Sequence, residues 1–117
     1  MIPEFNNLYA SLSTSHSKDW IASCFKNAGW AIRHCTWADY EVECDFAELV
    51  IEGDTEILLS GAVASFDAAV PFVATILEEN RVGYSIEYYD ETGNLLRRIT
   101  NMPDGTDAEP RDGPKSR

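Results

Sequence analysis

The sequence predicts an α+β domain built on a mainly antiparallel sheet of about five strands, with helices packed on one face in the order αα-βββ-α-ββ. Some segments place apolar residues at helical spacing, whereas others alternate apolar and polar residues with a period of two. The 117 residues are 44% hydrophobic and 11% aromatic, which suffices for one buried core. We therefore expect a single domain over residues 1–100.

Two helices are predicted near the start of the chain. The second begins after Ser17, whose hydroxyl can accept a hydrogen bond from the first helical turn. Gly29 is suited to end it, because glycine readily adopts the left-handed conformation found after helices. The first helix would be opened by Pro3, and its apolar residues stand at i, i+3, i+4 and i+7: Phe5, Leu8, Tyr9 and Leu12.

Three strands are predicted next. Period-two alternation starting at Trp30 predicts the first, and the second has the clearest pattern, because acidic and apolar residues alternate over Asp39–Phe46. The alternation then changes phase, which we interpret as a bulge near Ala47 within one strand. Gly53-Asp54 is predicted to form a turn, and Glu56–Val63 to return from it as the third strand.

A third helix follows over residues 66–77, where apolar side chains cover much of the helix surface. Such a helix is mostly buried. Ser65 or Asp67 can cap its first turn. Pro71 is expected to lie in that first turn, because a proline further inside would remove a helical hydrogen bond.

A hairpin closes the predicted domain. Strands are expected over Val82–Tyr89 and Leu95–Thr100, joined by the loop Asp90–Asn94. Residues 101–117 are rich in proline and glycine with almost no apolar side chain, so we expect a disordered polar tail there.

The charge balance limits the classes of partner. Twenty acidic residues against nine Lys and Arg give a net charge of -11, which repels nucleic acid and anionic lipid and favours a basic protein. No apolar run reaches the ~20 residues of a membrane span, and the first residues lack the features of a secretory signal. Three cysteines, an odd number, suggest reduced thiols. A cytoplasmic location is therefore expected.

The acidic residues concentrate in one interval. Between Arg33 and Arg81 there are eleven Asp and Glu and no Lys or Arg. Four of the carboxylates would share one strand face at roughly 7 Å spacing. A field of one sign steers a cationic partner, although a well-solvated sheet face is an equally good interpretation. The predicted partner-binding residues are Asp39, Glu41, Glu43, Asp45, Glu48, Glu52, Asp54 and Glu56.

Nothing in the sequence predicts catalysis, a metal site or a cofactor. His34 and Cys35 with two further cysteines include zinc-ligand types, but no Cys-x-x-Cys or His-x-x-x-His spacing joins them. Cys24 and Cys44 are better interpreted as small core residues. Cys35 and His34 would point to opposite faces of a strand, so they cannot form a nucleophile–base pair.

Aromatic residues are expected mainly in the core, with one or two exposed ones anchoring a protein interface. Stacking on nucleic-acid bases is disfavoured by the negative charge. The residues concerned are Trp30, Trp37, Tyr84, Tyr88 and Tyr89.

In the acidic segment Tyr40–Leu49 and the closing hairpin Tyr88–Leu96, the chain resembles the small immunity proteins of bacterial toxin systems. The resemblance implies a cytosolic protein that binds one cognate toxin tightly and blocks its active site or substrate groove. Many such toxins are basic nucleases, against which an acidic surface stands in for the phosphate backbone. The acidic strand and its turn would then be the docking surface.

Two alternatives stay open. Secretion chaperones for bacterial effectors are also small and acidic, and the order βββ-α-ββ is similar to theirs, although this chain ends in a polar tail instead of a helix. They require a dimer, and the sequence does not predict the oligomeric state. A small enzyme or ligand-binding domain would instead need a deep cavity whose polar groups have perturbed pKa values.

Overall fold

The computed structural model describes residues 1–34 and 39–101, which form seven strands and two helices. The elements in chain order are β1 (Leu8–Ser13), α1 (Lys18–Asn27), β2 (Ala31–His34), β3 (Tyr40–Cys44), β4 (Ala47–Glu52), β5 (Ile57–Val63), α2 (Phe66–Glu79), β6 (Gly83–Tyr89) and β7 (Leu95–Asn101).

The strands form one sheet in the order β2-β3-β4-β5-β1-β6-β7, and every neighbouring pair is antiparallel. β1 therefore lies inside the sheet, between β5 and β6, although it comes first in the chain. Helix α1 packs on β2, β3 and β4, whereas α2 packs on β5 and β6. The N-terminal strand thus joins the two halves of the sheet.

Side-chain alternation along the strands separates a buried face from an exposed one. Leu8, Ala10 and Leu12 of β1 are buried in the core with the apolar faces of both helices, and Tyr9 and Ser11 project from the other side. We call this other side the open face, because neither helix covers it. It carries Arg33, Glu41, Glu43, Glu48, Val50, Glu52, Leu58, Ser60, Ser85, Glu87 and Arg98 in addition to these β1 residues.

The predicted fold is wrong in the number and order of its elements. In the part of the chain that the structure describes, the order is β-α-ββββ-α-ββ, with seven strands instead of about five and two helices instead of three. The segment predicted as the first helix contains β1, because Leu8, Ala10 and Leu12 also satisfy a period of two. Hydrogen bonds to strands on both sides outweigh a helical pattern over so short a segment. The likeness of the element order to that of secretion chaperones is lost with this correction.

The single bulged strand predicted across Ala47 is wrong as well. The chain turns at Asp45-Phe46, and Cys44 pairs directly with Ala47 in a two-residue hairpin. This turn causes the change of phase, since it returns the apolar residues of β4 to the face that Val42 occupies on β3. Asp-Phe lacks the Asn-Gly or Asp-Gly signature of such turns, so this turn could not be predicted from the residues.

The two helix starts lie where capping residues predicted them. The Ser17 hydroxyl accepts from the Trp20 amide at 3.4 Å, and the Ser65 hydroxyl accepts from the Ala68 amide at 3.1 Å. The predicted position of Pro71 in the first turn is wrong, because Pro71 lies in the second turn of α2. It lies on the exposed side of the helix, where water can reach the carbonyl oxygen that loses its helical donor.

The last two strands lie within one residue of their predicted bounds. The predicted tail over residues 101–117 begins one residue too early, because Asn101 is the last residue of β7. Residues 102–117 lie outside the described residues, as do Cys35 and Trp37. Within the described part of the chain, neither helix is long and apolar enough to cross a membrane.

Candidate functional site

Four of the predicted binding residues come together on the open face of the β3–β4 hairpin. Glu41 and Glu43 project from β3, and Glu48 and Glu52 project from β4. The register places Glu43 directly opposite Glu48. The turn at Asp45-Phe46, and not one continuous strand, produces this concentration of carboxylates.

The other four predicted residues lie at the ends of that hairpin. Asp45 belongs to the β3–β4 turn, whereas Asp54 and Glu56 belong to the β4–β5 connection at the opposite end. Asp39 precedes β3. The predicted row of four carboxylates along one strand is therefore reduced to Glu41 and Glu43 within β3.

Two of the eight predicted carboxylates have cationic partners. Lys18 at the start of α1 lies 3.3 Å from a carboxylate oxygen of Asp39. Arg33 on the edge strand β2 donates from Nε to Glu41 at 2.6 Å and forms a salt bridge through its guanidinium. The Arg33–Glu41 pair reduces the negative charge at the β2 side of the open face.

The remaining six predicted carboxylates have no ion pair or side-chain hydrogen bond within residues 1–34 and 39–101: Glu43, Asp45, Glu48, Glu52, Asp54 and Glu56. Like charges directly opposite one another on antiparallel strands destabilise the pairing. Glu43 and Glu48 have this arrangement. The fold thus retains a repulsive pair that no Lys or Arg of the described residues neutralises.

The centre of the open face is a shallow depression of about 310 Å³. Its floor is formed by hydroxyl side chains of three adjacent strands, Ser11, Ser60 and Ser85, which leave little bulk above the sheet. Leu58 is 39% exposed and Tyr9 is 43% exposed beside them. An apolar and hydroxyl-lined centre is therefore flanked by the carboxylates of β4 and β6.

A cluster at the β6 side of the face was missed by the sequence reasoning. The Tyr89 hydroxyl donates to Glu87 at 2.6 Å, and Arg98 donates from Nε to the same carboxylate at 3.0 Å. The Tyr9 and Tyr89 rings meet edge to face, with centroids 5.5 Å apart. The only sequence feature that could have indicated this cluster is the predicted β6–β7 hairpin, because its register places Glu87 opposite Arg98.

This cluster has defined electrostatics. The hydrogen bond from Tyr89, followed by that from Arg98, lowers the pKa of Glu87 below its ordinary value. The hydrogen bond between Tyr89 and Glu87 is also the largest cause of the raised pKa of the Tyr89 phenol, because ionisation would place two negative charges together. Glu87 therefore stays ionised and orients the Tyr89 ring beside Tyr9.

The other predicted chemistry does not gather into a site. Cys24 is buried and Cys44 is half-buried against the core, and burial raises the pKa of both thiols. Within the described residues, no three His, Cys, Asp or Glu side chains are placed to hold a metal ion. Tyr84 and Trp30 are buried in the core, and Tyr88 is half-buried against it beside Phe66. Of the described aromatic candidates, only Tyr89 therefore reaches the open face.

Comparisons with protein-family models, curated proteins and solved structures returned no significant match to this chain.

Proposed function

We propose that this protein binds and neutralises a cationic protein, as the immunity proteins of bacterial toxin systems do, through the open face of its sheet. The observation that carries the proposal is that Glu43 and Glu48 oppose each other, and no Lys or Arg in residues 1–34 and 39–101 pairs with either of them. Such a pair lowers the stability of the free protein. A cationic group placed between the two carboxylates would relieve that repulsion on binding.

The layout of the open face supports protein recognition. Interfaces commonly combine an apolar, desolvated centre with a polar rim. Here Tyr9, Leu58 and Val50 form an apolar centre, with the β3–β4 carboxylates on one side. A merely solvated sheet face would need no exposed apolar centre, although scattered exposed apolar residues are common on proteins.

The charge distribution supports a basic partner. Ten residues of strand and turn from Glu43 to Glu52 contain four acidic side chains and no basic one. A uniform negative field accelerates association with a positively charged protein and disfavours acidic competitors. A toxin that acts on nucleic acid carries such a positive surface, so blocking its substrate groove is the function that this face fits best.

The test is affinity capture from the source organism with three immobilised baits: the wild type, the E43Q/E48Q variant, and a D67N/E79Q control. The control removes the same charge from the exposed surface of α2, away from the open face. We expect a basic protein on the wild type and the control and a reduced amount on E43Q/E48Q. Equal retention of that protein on all three baits would refute the proposal.

A further inference from the structure

One end of the open face continues into a groove of about 840 Å³, which we call the aromatic groove. It lies between the segment before β1, the end of β6 and the β6–β7 loop. Its lining includes the aromatic rings of Phe5, Tyr9 and Tyr89 and the carboxylates of Glu4, Glu87 and Glu91.

The walls of the groove are held in place by the fold. The edge-to-face contact with Tyr89 fixes the Tyr9 ring, and the bond to Glu87 fixes the Tyr89 hydroxyl. The Tyr89 amide donates to the Asn7 carbonyl at 2.8 Å, which ties β6 to the segment before β1. The aromatic surface is therefore organised before a ligand arrives, which limits the entropy lost on binding.

The carboxylates of the groove fall into two groups. Glu87 is engaged by Tyr89 and Arg98, and Asp90 accepts hydrogen bonds from the Thr92 and Asn94 amides of its own loop. Glu4 and Glu91 have no such partner within the described residues, and no Lys or Arg is among the residues that line the groove. Glu4 and Glu91 are thus available to pair with a cation beside the aromatic rings of the groove.

We propose that the aromatic groove receives an arginine side chain of the protein partner. A guanidinium is planar, stacks on aromatic faces and donates several hydrogen bonds to carboxylates, so Tyr9, Tyr89, Glu4 and Glu91 match its chemistry. The groove shares Tyr9 and Glu87 with the central depression. A protein lying on the open face therefore reaches it.

The source of this arginine rests on the proposed function, but the binding chemistry can be tested alone. The probe is N-acetyl-arginine methylamide, titrated into the isotope-labelled protein while its backbone amide signals are followed by NMR. N-acetyl-citrulline methylamide is the matched neutral control, because it keeps the shape of the side chain and lacks its charge. We expect saturable shifts for the arginine compound at Tyr9, Tyr89, Glu91 and Gly93, and none for citrulline.

Two variants locate the site. Tyr9→Leu removes one aromatic wall and is expected to weaken arginine binding about threefold or more. E4Q/E91Q removes the two uncommitted charges and is expected to weaken it by a similar factor while leaving the described packing contacts intact. It therefore keeps the test decisive if Tyr9→Leu fails to fold. The E43Q/E48Q variant should bind the probe like the wild type.

Equal shifts with both compounds, or arginine shifts confined to the β3–β4 carboxylates, would overturn the groove assignment. The outcome is separable from that of the proposed function. If E43Q/E48Q captures the basic partner as well as the wild type does while the groove still binds arginine, only the docking face is refuted. If the capture result holds and the groove binds no arginine, only the groove is refuted.

Discussion

Glu43 and Glu48 face each other across the β3–β4 hairpin, directly opposite in register on the open side of the sheet. No described Lys or Arg forms an ion pair with either carboxylate. In a protein selected only for stability, one of these positions would favour a cation, because opposite charges across a strand pair are stabilising. Retaining both carboxylates is consistent with a surface selected for binding.

The first prediction concerns this trade-off between stability and binding. Glu48→Lys converts the repulsive pair into an attractive one and should raise the free energy of unfolding by about 0.5–1 kcal/mol at low salt. The gain should shrink at high salt because exposed charges are screened. Urea unfolding at two ionic strengths measures it. An unchanged or lowered stability would show that the two carboxylates do not interact in the free protein.

A second prediction concerns Asn7, a buried polar side chain immediately before β1 that is only 3% exposed. Its amide accepts from the Val63 amide at 2.8 Å and donates to the Val63 carbonyl at 3.0 Å. Asn7→Ala leaves both Val63 groups buried without a partner, so it should lower the free energy of unfolding by at least about 2 kcal/mol.

The exposed neighbour provides the control for this prediction. Asn6→Ala should change the unfolding midpoint in urea little, because Asn6 is at the surface. A similar loss of stability in both variants would indicate that the Asn7 hydrogen bonds do not contribute to holding β1 against β5.

A third prediction concerns the close approach of β4 and β5 at Gly61. A Cβ atom at this position would collide with the Glu48 carbonyl oxygen and lie 2.8 Å from the Leu49 Cα. Gly61→Ala should therefore destabilise the fold by about 1–3 kcal/mol or more, as overpacking does. Thermal unfolding of Gly61→Ala beside Ser60→Ala, an open-face substitution on the same strand, checks this. Equal melting temperatures would contradict it.

A fourth prediction concerns alkaline pH. Burial, followed by the hydrogen bond to Glu78, raises the pKa of Tyr84 to about 12 from 10.0. A raised pKa in the folded state gives stability that is complete below pH 10 and is lost as pH rises toward 12. Tyr84→Phe should flatten this part of the stability curve, although Tyr40 and Tyr89, whose pKa values are also raised, contribute to it.

The control for the alkaline prediction separates the two causes. Glu78→Gln removes the charge next to the Tyr84 hydroxyl but leaves the ring buried, so most of the alkaline loss should persist. Unfolding in urea at a series of pH values between 9 and 12 distinguishes the variants. If the stability of Tyr84→Phe follows that of the wild type over this whole pH range, ionisation of the buried Tyr84 phenol does not cause the loss of stability at alkaline pH.

The sequence predicted local features better than it predicted their arrangement. Ser17 and Ser65 fix the helix starts through contacts within three residues, so their roles could be inferred directly. The strand that begins at Leu8 could not be inferred in this way, because its six residues fit the helical period and the strand period equally well. Pairing with the distant strands β5 and β6 makes this segment a strand.

The candidate site shows the same division. The excess of acidic residues is visible in the sequence, but the opposition of Glu43 and Glu48 depends on a turn at Asp45-Phe46 that has no strong signature. The aromatic groove joins Phe5 to Tyr89 and Glu91, which are far apart in the chain. Only the order of strands in the sheet brings these residues together.

We propose that the β3–β4 carboxylates of the open face attract a cationic protein. The most direct test of this attraction is the association rate constant of the captured partner, measured by stopped-flow fluorescence over a salt series for the wild type, E43Q/E48Q and D67N/E79Q. We expect the rate constant to fall steeply with salt for the wild type and the control. For E43Q/E48Q we expect a lower rate constant that depends less on salt. Three coincident salt dependences would contradict it.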